Sequence, residues 1–542
     1  MKKQLNKPIP VFFVISIFLM FSAIIQASER ADKIPDNNYW VFFTDKDGVD
    51  FNPWAYFDPK AIERRIRHGQ SLFDPLNFPV RKDYLEAITN YVDTADVVLR
   101  WFNAVHVYAT PLQVNALEEL NFVKKVQPVR GGFYPAENLC GKKQNLFLSG
   151  EQQELLRAQI YHMQGQLFSE KGIDGSGVRI AIFDGGFPAV DTHPVFRHII
   201  NDDRIIATYD FHNQRKDVFR ANVHGTMVMS AIGGMKDNIP MGLATGAEFL
   251  LARTELLREI YAEEKYWLAA MEWADKHGAD IINSSLGYIY HRYFPEQMDG
   301  QTSLVSRAGN IAARKGMLVV NAAGNERLRE NWGIVAAPAD ADSVLAVGAL
   351  EYPSLLRAPY TSLGPTADGR PKPNVSALGT VVAANKRGFS TPKGTSFASP
   401  LVAGFAACLL QMYPEWTSMQ LFNALERSAR LYPYFDFAHG YGTPRAGNFI
   451  SDEPVFPGPT FDFVDNDTNI SVIIRQNVIT FPLDDPYDLY VFYQIQNNEG
   501  EVEQYYVVRA DQHEALTFRK NDFQPGQRLF VHFKGFTASR IF

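Results

Sequence analysis

Five short apolar runs constrain what most of this chain can fold into. They are Val178–Phe183, Glu248–Ala252, Ile281–Ser284, Met317–Val320 and Val344–Val347. A strand buried on both faces reads as a nearly continuous apolar run, whereas a half-exposed strand alternates. Amphipathic helical patterns lie between the runs. One spans about 259–277, where Glu272, Asp275 and Lys276 are polar among Leu268, Ala269, Met271, Trp273 and Ala274; another spans about 304–315. Such alternation implies a mostly parallel sheet flanked by helices. In such sheets functional side chains collect beyond the C-terminal ends of the strands.

The remaining sequence divides around this α/β unit. The 542 residues exceed one ordinary core and imply two to four domains. Residues 1–27 read as a secretory signal peptide: Lys2, Lys3 and Lys7 precede the apolar run Ile9–Ile25, and Ala27 precedes polar sequence. The alternative is an N-terminal membrane anchor, for which the run is short. No later stretch reads as a bilayer span. Residues 37–130 follow the order strand, helix, strand, strand, helix, strand, which is ferredoxin-like. In it, Thr110 and Pro111 open a helix reaching Leu120. Residues 131–156 carry Gly131-Gly132 and Gly141-Lys142-Lys143 and read as a linker with a processing site. Residues 157–450 hold the α/β unit, and 460–542 a small β-domain, sandwich-like, after a proline-rich boundary. The net charge of -7 gives no reason to expect nucleic acid as a partner. Cys140 and Cys408 lack metal-site spacing and form no disulfide framework.

Four polar residues interrupt the apolar pattern where chemistry could sit. Asp184 directly follows the strand Val178–Phe183. It reads either as a turn residue or as a carboxylate that needs a partner, because unpaired burial is costly. His224 opens an apolar helical run, either as a structural histidine or as a base. Ser396, in Gly394-Thr395-Ser396-Phe397-Ala398-Ser399-Pro400, precedes the apolar run Leu401–Leu410, with Pro400 placed in the first helical turn. It reads either as a helix cap or as a nucleophile, which would require an adjacent base. Asn325 follows the strand Met317–Val320 and could present an amide donor to an oxyanion.

Together these segments resemble subtilisin-like serine proteases over residues 172–449. The matching blocks are VRIAIFDGG around Asp184, HGTMV at His224, NSSLG at Asn283–Gly287, VVNAAGN ending at Asn325, and GTSFASP around Ser396. They stand in the family's order. Arg253-Thr254-Glu255, Glu272-Trp273-Ala274-Asp275 and Asp368–Pro373 further resemble secreted Bacteroidetes subtilases. One departure is Gly185, which stands where threonine is usual after the aspartate.

The resemblance implies a secreted serine endopeptidase. Ser396 would be the nucleophile, His224 the general base and Asp184 its orienting carboxylate. Asn325 and the Ser396 N–H would form the oxyanion hole. Ser285, Leu286, Gly287, Ala323 and Gly324 would line the substrate cleft. Partners would be protein or peptide substrates, with the N-terminal domain as the enzyme's own inhibitor and no stable membrane anchor. The alternatives are a retained accessory domain at 37–130 and a subtilase shell without turnover. No cofactor is required; a structural calcium, common in the family, has no EF-hand-like loop here and stays unassigned. The cleft loops show no clear charged pocket, so apolar residues before the cut are the default. Export to the periplasm or the extracellular space is expected.

Overall fold

The structure is a computed structural model. It describes residues 37–129, 134–135, 147–256, 258–259, 262–289, 292–450, 458–475, 478, 486–512 and 515–542. The expected signal peptide and most of the expected linker lie outside these residues.

The N-terminal unit comprises β1 (Asn38–Phe43), α1 (Pro59–Arg67), β2 (Thr94–Leu99), β3 (Ala104–Tyr108), α2 (Pro111–Glu118) and β4 (Val123–Pro128). Its sheet order is β2-β3-β1-β4, with every neighbouring pair antiparallel. Thr110 and Gln113 form a reciprocal capping box at the start of α2, and Pro111 takes the first position, where a missing N–H costs nothing. The two-residue strand β5 (Tyr134–Pro135) follows.

The next described segment corrects the expected linker. Residues Gly150–Tyr161 form a helix capped by Ser149, and Leu155, Leu156 and Ile160 are buried against the main core. The Gln159 side chain donates to the Met241 carbonyl and accepts from the Val382 N–H. The polar surface of this helix resembles a linker in sequence, but its apolar stripe closes one side of the α/β unit.

That unit contains β6 (Arg179–Asp184), β7 (Ile205–Asp210), α3 (His224–Gly233), the hairpin β8 (Met235–Lys236) and β9 (Ile239–Pro240), and β10 (Glu248–Arg253). It continues through β11 (Arg258–Glu259), α4 (Ala262–Lys276), β12 (Ile281–Ser284), α5 (Leu304–Arg314), β13 (Leu318–Ala322) and β14 (Val344–Leu350). Then come β15 (Val375–Leu378), the hairpin β16 (Ala383–Ala384) and β17 (Phe389–Ser390), α6 (Thr395–Met412) and α7 (Ser418–Ser428). Seven strands form a sheet in the order β15-β14-β13-β12-β6-β10-β7, parallel throughout. The five apolar runs of the sequence supply β6, β10, β12, β13 and β14. Helices α3 and α6 belong to the core cluster on one face of the sheet, α4 and α5 to that on the other.

Helix α6 is long and apolar enough to cross a bilayer, contrary to the sequence reading; 83% of it is buried inside this unit. Its apolarity matches its place in the core.

The C-terminal unit has two antiparallel sheets, β18-β19-β22 and β21-β20-β23-β24, drawn from β18 (Phe461–Asp465), β19 (Asn469–Ile474), β20 (Tyr490–Gln496), β21 (Val502–Arg509), β22 (Ala515–Arg519), β23 (Arg528–Phe533) and β24 (Phe536–Ile541). Phe461, Ile470, Val472, Val491, Leu529, Val531 and Phe533 form the core between them.

The N-terminal unit is docked on α4 and α5. Trp40, Phe42, Leu99 and Trp101 share one buried cluster with Trp267, Leu268, Met271 and Ile311. Charges are buried there too. Arg64 Nη2 and Arg65 Nη2 lie 2.6 Å from Asp275 Oδ1, all three side chains being 0% exposed, and Arg100 Nη2 lies 2.8 Å from Asp275 Oδ2.

Candidate active site

Asp184, His224, Ser285, Asn325 and Ser396 come together beyond the C-terminal ends of β6, β12 and β13. Asp184 ends β6 and is buried. Its carboxylate Oδ1 accepts from the Gly185 N–H at 2.7 Å, and its carbonyl accepts from the N–H groups of Thr254 and Glu255 after β10. Gly185 therefore has a packing reason: a Cβ there would stand 3.0 Å from Asn222 Cβ. Asn222 in turn accepts from the His224 N–H.

His224 begins α3, and its Nδ1 lies 2.8 Å from Asp184 Oδ2 and 3.0 Å from Oδ1. The nitrogen facing the carboxylate carries the hydrogen, leaving Nε2 with a lone pair. Burial works against protonation of the ring, but the charge and hydrogen bond of Asp184 outweigh it and raise the His224 pKa above its ordinary value. Close approach of α3 to the aspartate requires Gly225, where a Cβ would stand 2.4 Å from the Gly186 carbonyl oxygen and 2.9 Å from Asp184 Cβ.

Ser396 is the second residue of α6. Pro400 is the sixth, so it lies beyond the first turn that the sequence reading gave it. A proline there removes the helical N–H that would bond the carbonyl four residues earlier, which is that of Ser396. The Ser285 hydroxyl supplies the bond instead, at 2.8 Å to the Ser396 carbonyl, while the Ser396 hydroxyl donates to the Ser285 carbonyl at 3.0 Å. The proline thus ties the serine to the end of β12. Among the described residues no hydrogen bond joins Ser396 Oγ to His224; the His224 ring packs against Phe397, with centroids 5.3 Å apart.

Asn325 is oriented by the residue before the serine. Its Oδ1 accepts from the Thr395 N–H at 2.9 Å and from Thr395 Oγ1 at 3.1 Å. With the oxygen so engaged, the amide NH2 is left for the cleft. The Ser396 N–H is among the first of its helix, which have no intrahelical acceptor.

These side chains line one cleft of about 750 Å³, together with Leu286, Gly287 and Gly324. Ala323, expected in the cleft, is instead buried with Val335, Ala339 and Ala346, and Ala322 lines the cleft in its place. Extended backbone sends successive side chains to opposite faces, so Ala322 and Ala323 cannot both face it. The expected absence of a charged pocket is also corrected. Glu255, Glu263, Glu326, Arg329 and Lys393 line the cleft, and Glu326 is ion-paired with Arg329. In the sequence Glu255 stands out only as part of a motif, because its approach to the cleft depends on the unpatterned loop after β10. Among the described residues, no group of three or more His, Cys, Asp or Glu side chains comes together to hold a metal ion.

Residues 175–442 match the Subtilase family, and residues 38–139 match the Peptidase S8 propeptide domain, Bacteroidota. The chain is 30% identical over 260 residues to Subtilisin DY of Bacillus licheniformis, covering 48% of this chain and 86% of that protein. It belongs to the subtilase family. Subtilisin NAT of Bacillus subtilis subsp. natto is 29% identical to this subtilase over 273 residues, 50% of this chain and 65% of that one. The matched part of the subtilase thus spans just under two thirds of that relative. Among solved structures, fervidolysin from Fervidobacterium pennivorans, described as a keratinolytic enzyme related to subtilisin, shares its fold. The TM-score is 0.51 at 18% identity, over 91% of this chain and 70% of fervidolysin.

Proposed function

We propose that this subtilase is an exported serine endopeptidase acting through Asp184, His224 and Ser396. The observation that carries this reading is the Asp184–His224 pair facing, in one cleft, a serine at a helix N-terminus beside an amide held donor-outward. A turn of the Ser396 side chain away from the Ser285 carbonyl would bring Oγ to His224 Nε2; such bonds often tighten only with substrate bound. His224 then takes the hydroxyl proton as Oγ attacks a peptide carbonyl. The Asn325 amide and the Ser396 N–H hold the oxyanion, His224 returns the proton to the leaving amine, and water releases the acyl group. Ser396→Ala should abolish peptide hydrolysis and labelling by a fluorophosphonate while leaving the circular dichroism spectrum unchanged. Normal turnover by that variant would reject the reading, as would a wild type that takes no label.

The docked N-terminal unit supports a second part of the proposal, that residues 37–130 are an inhibitory propeptide. The match to a propeptide domain and the pairing of Tyr134–Pro135 with Arg258–Glu259, three residues beyond Glu255 of the cleft, favour it. We place the cut between residues 136 and 148, because the helix from Gly150 is packed into the α/β unit. Residues 1–27 would direct export, the catalytic domain would extend from this helix to about residue 450, and 460–542 would be an accessory β-domain.

A further inference from the structure

We infer that Glu255 makes this cleft select a lysine or arginine side chain at the second residue before the scissile bond. The inference rests on the endopeptidase reading. The cleft has two walls set by strand order. On the side of β12 and β13 stand Ser285–Gly287, Ala322, Gly324 and Asn325; on the side of β6 and β10 stand Asp184, His224, Glu255 and Leu256. Ser396 lies between them. An extended substrate alternates its side chains between the walls. The residue whose carbonyl meets Ser396 and Asn325 sends its side chain to the first wall. The residue before it turns its side chain towards His224 and Glu255. Strand β5 shows polypeptide already pairing at this rim: Pro135 opposes Arg258 and Tyr134 opposes Glu259, antiparallel. A peptide running in that direction heads towards Glu255.

The carboxylate is set up to receive a cation. Its Oε1 accepts from Tyr288 at 2.7 Å and from Thr254 at 3.1 Å, and among the described residues no donor reaches Oε2. Arg292, whose charge reaches Glu255, is held by Glu263 and Glu264 at 3.4 Å each, and among the described residues no ion pair is formed with Glu255. Among the described residues the other ionisable groups around Glu255 are Asp184, whose charge opposes its ionisation, His224, and Glu263, which lines the same cleft and accepts from the Leu256 N–H. Burial, with Asp184 adding to it, pushes the Glu255 carboxyl up to about 7 against the pull of Tyr288, Arg292 and Thr254. A substrate cation would ionise the carboxyl and complete the pair, whereas an apolar side chain would leave a buried acid facing hydrocarbon.

The test uses protein expressed from the full chain and peptides differing only at that second position, carrying lysine, norleucine or glutamine. Lysine should exceed norleucine in kcat/KM by roughly 10- to 100-fold, the value of a charge-assisted hydrogen bond. The ratio should rise from about pH 6 to about pH 8 as Glu255 ionises, since the titration of His224 affects both substrates alike and cancels. Glu255→Gln should bring the ratio near one and remove its pH dependence. A wild-type ratio of one or less overturns the inference while leaving the protease reading intact; a ratio unchanged in the glutamine variant also overturns it. Hydrolysis of none of the peptides overturns both. Should the variant not fold, the wild-type ratio and its pH course decide alone.

Discussion

At the scale of single residues, the site depends on how each polar group is aimed. Asn325 is turned by Thr395 so that its amide points at the cleft. Asn325→Ala should lower kcat by roughly 100- to 1000-fold with KM little changed, because one oxyanion donor remains; this is the loss known for the corresponding donor of subtilisin, a relative of this chain. Stopped assays at saturating substrate measure it. His224 must be neutral to accept a proton, and Asp184 raises its pKa. Activity should therefore fall as pH drops through a value above the ordinary 6.5 of histidine. In Asp184→Asn that acid limb should move to lower pH and the maximal rate should fall; a pH profile of kcat/KM shows both.

Secondary-structure elements carry the tension between helix geometry and chemistry. Pro400 interrupts α6, and Ser285 at the end of β12 satisfies the carbonyl it exposes. Ser285→Ala should destabilise the fold by about 1–3 kcal/mol, the range for a buried acceptor left unpaired, and should lower kcat by loosening the register of Ser396. Urea unfolding with a parallel activity assay measures both effects. On the opposite face, α4 carries Asp275 against Arg64 and Arg65 of α1 and Arg100 after β2. Asp275→Asn would leave Arg64 and Arg65 without their buried counter-charge, while Arg100 would keep only Glu272, 3.4 Å away. The separated fragment 37–130 should then inhibit the variant at least ~100-fold more weakly than wild type, as removal of one partner from a buried pair costs about 3–5 kcal/mol.

The whole molecule is a subtilase α/β unit with a second unit fastened to it by apolar and ionic contacts together. Ser396→Ala protein should accumulate as a proform lacking only the export signal, while wild type should lose roughly 100–130 further residues after export, the size of one small folded unit. Intact mass and N-terminal sequencing distinguish the two, and an active wild type that keeps residues 37–130 attached would favour a retained accessory domain. The released unit should also bind in a pH-dependent way. Burial would raise the Asp275 pKa, but Arg65, Arg100 and Arg64 outweigh it and hold the carboxyl below its ordinary value. Its contribution to docking is therefore complete above about pH 4 and lost as pH falls through the docked pKa. Glu272 acts in the opposite sense, since burial raises its pKa and its contribution weakens as pH rises. Size-exclusion chromatography across pH 3 to 7 should show dissociation at the acid end.

The sequence by itself determined the parallel sheet, because strands buried on both faces must be apolar along their length. It also determined where Asp184, His224, Asn325 and Ser396 interrupt that apolarity, since polar residues at strand ends and helix starts stand out against it. Local periodicity could not show which polar surfaces meet. Asp275 in α4 and Arg64 and Arg65 in α1 look like ordinary solvated helix positions, yet all three are fully buried against one another. The helix from Gly150 looks like a linker until the core that receives Leu156 and Ile160 exists. Glu255 gains its place beside His224 only when β10 lies next to β6 in the sheet. These features depend on contacts between segments far apart in the chain, and only tertiary packing brings such segments together.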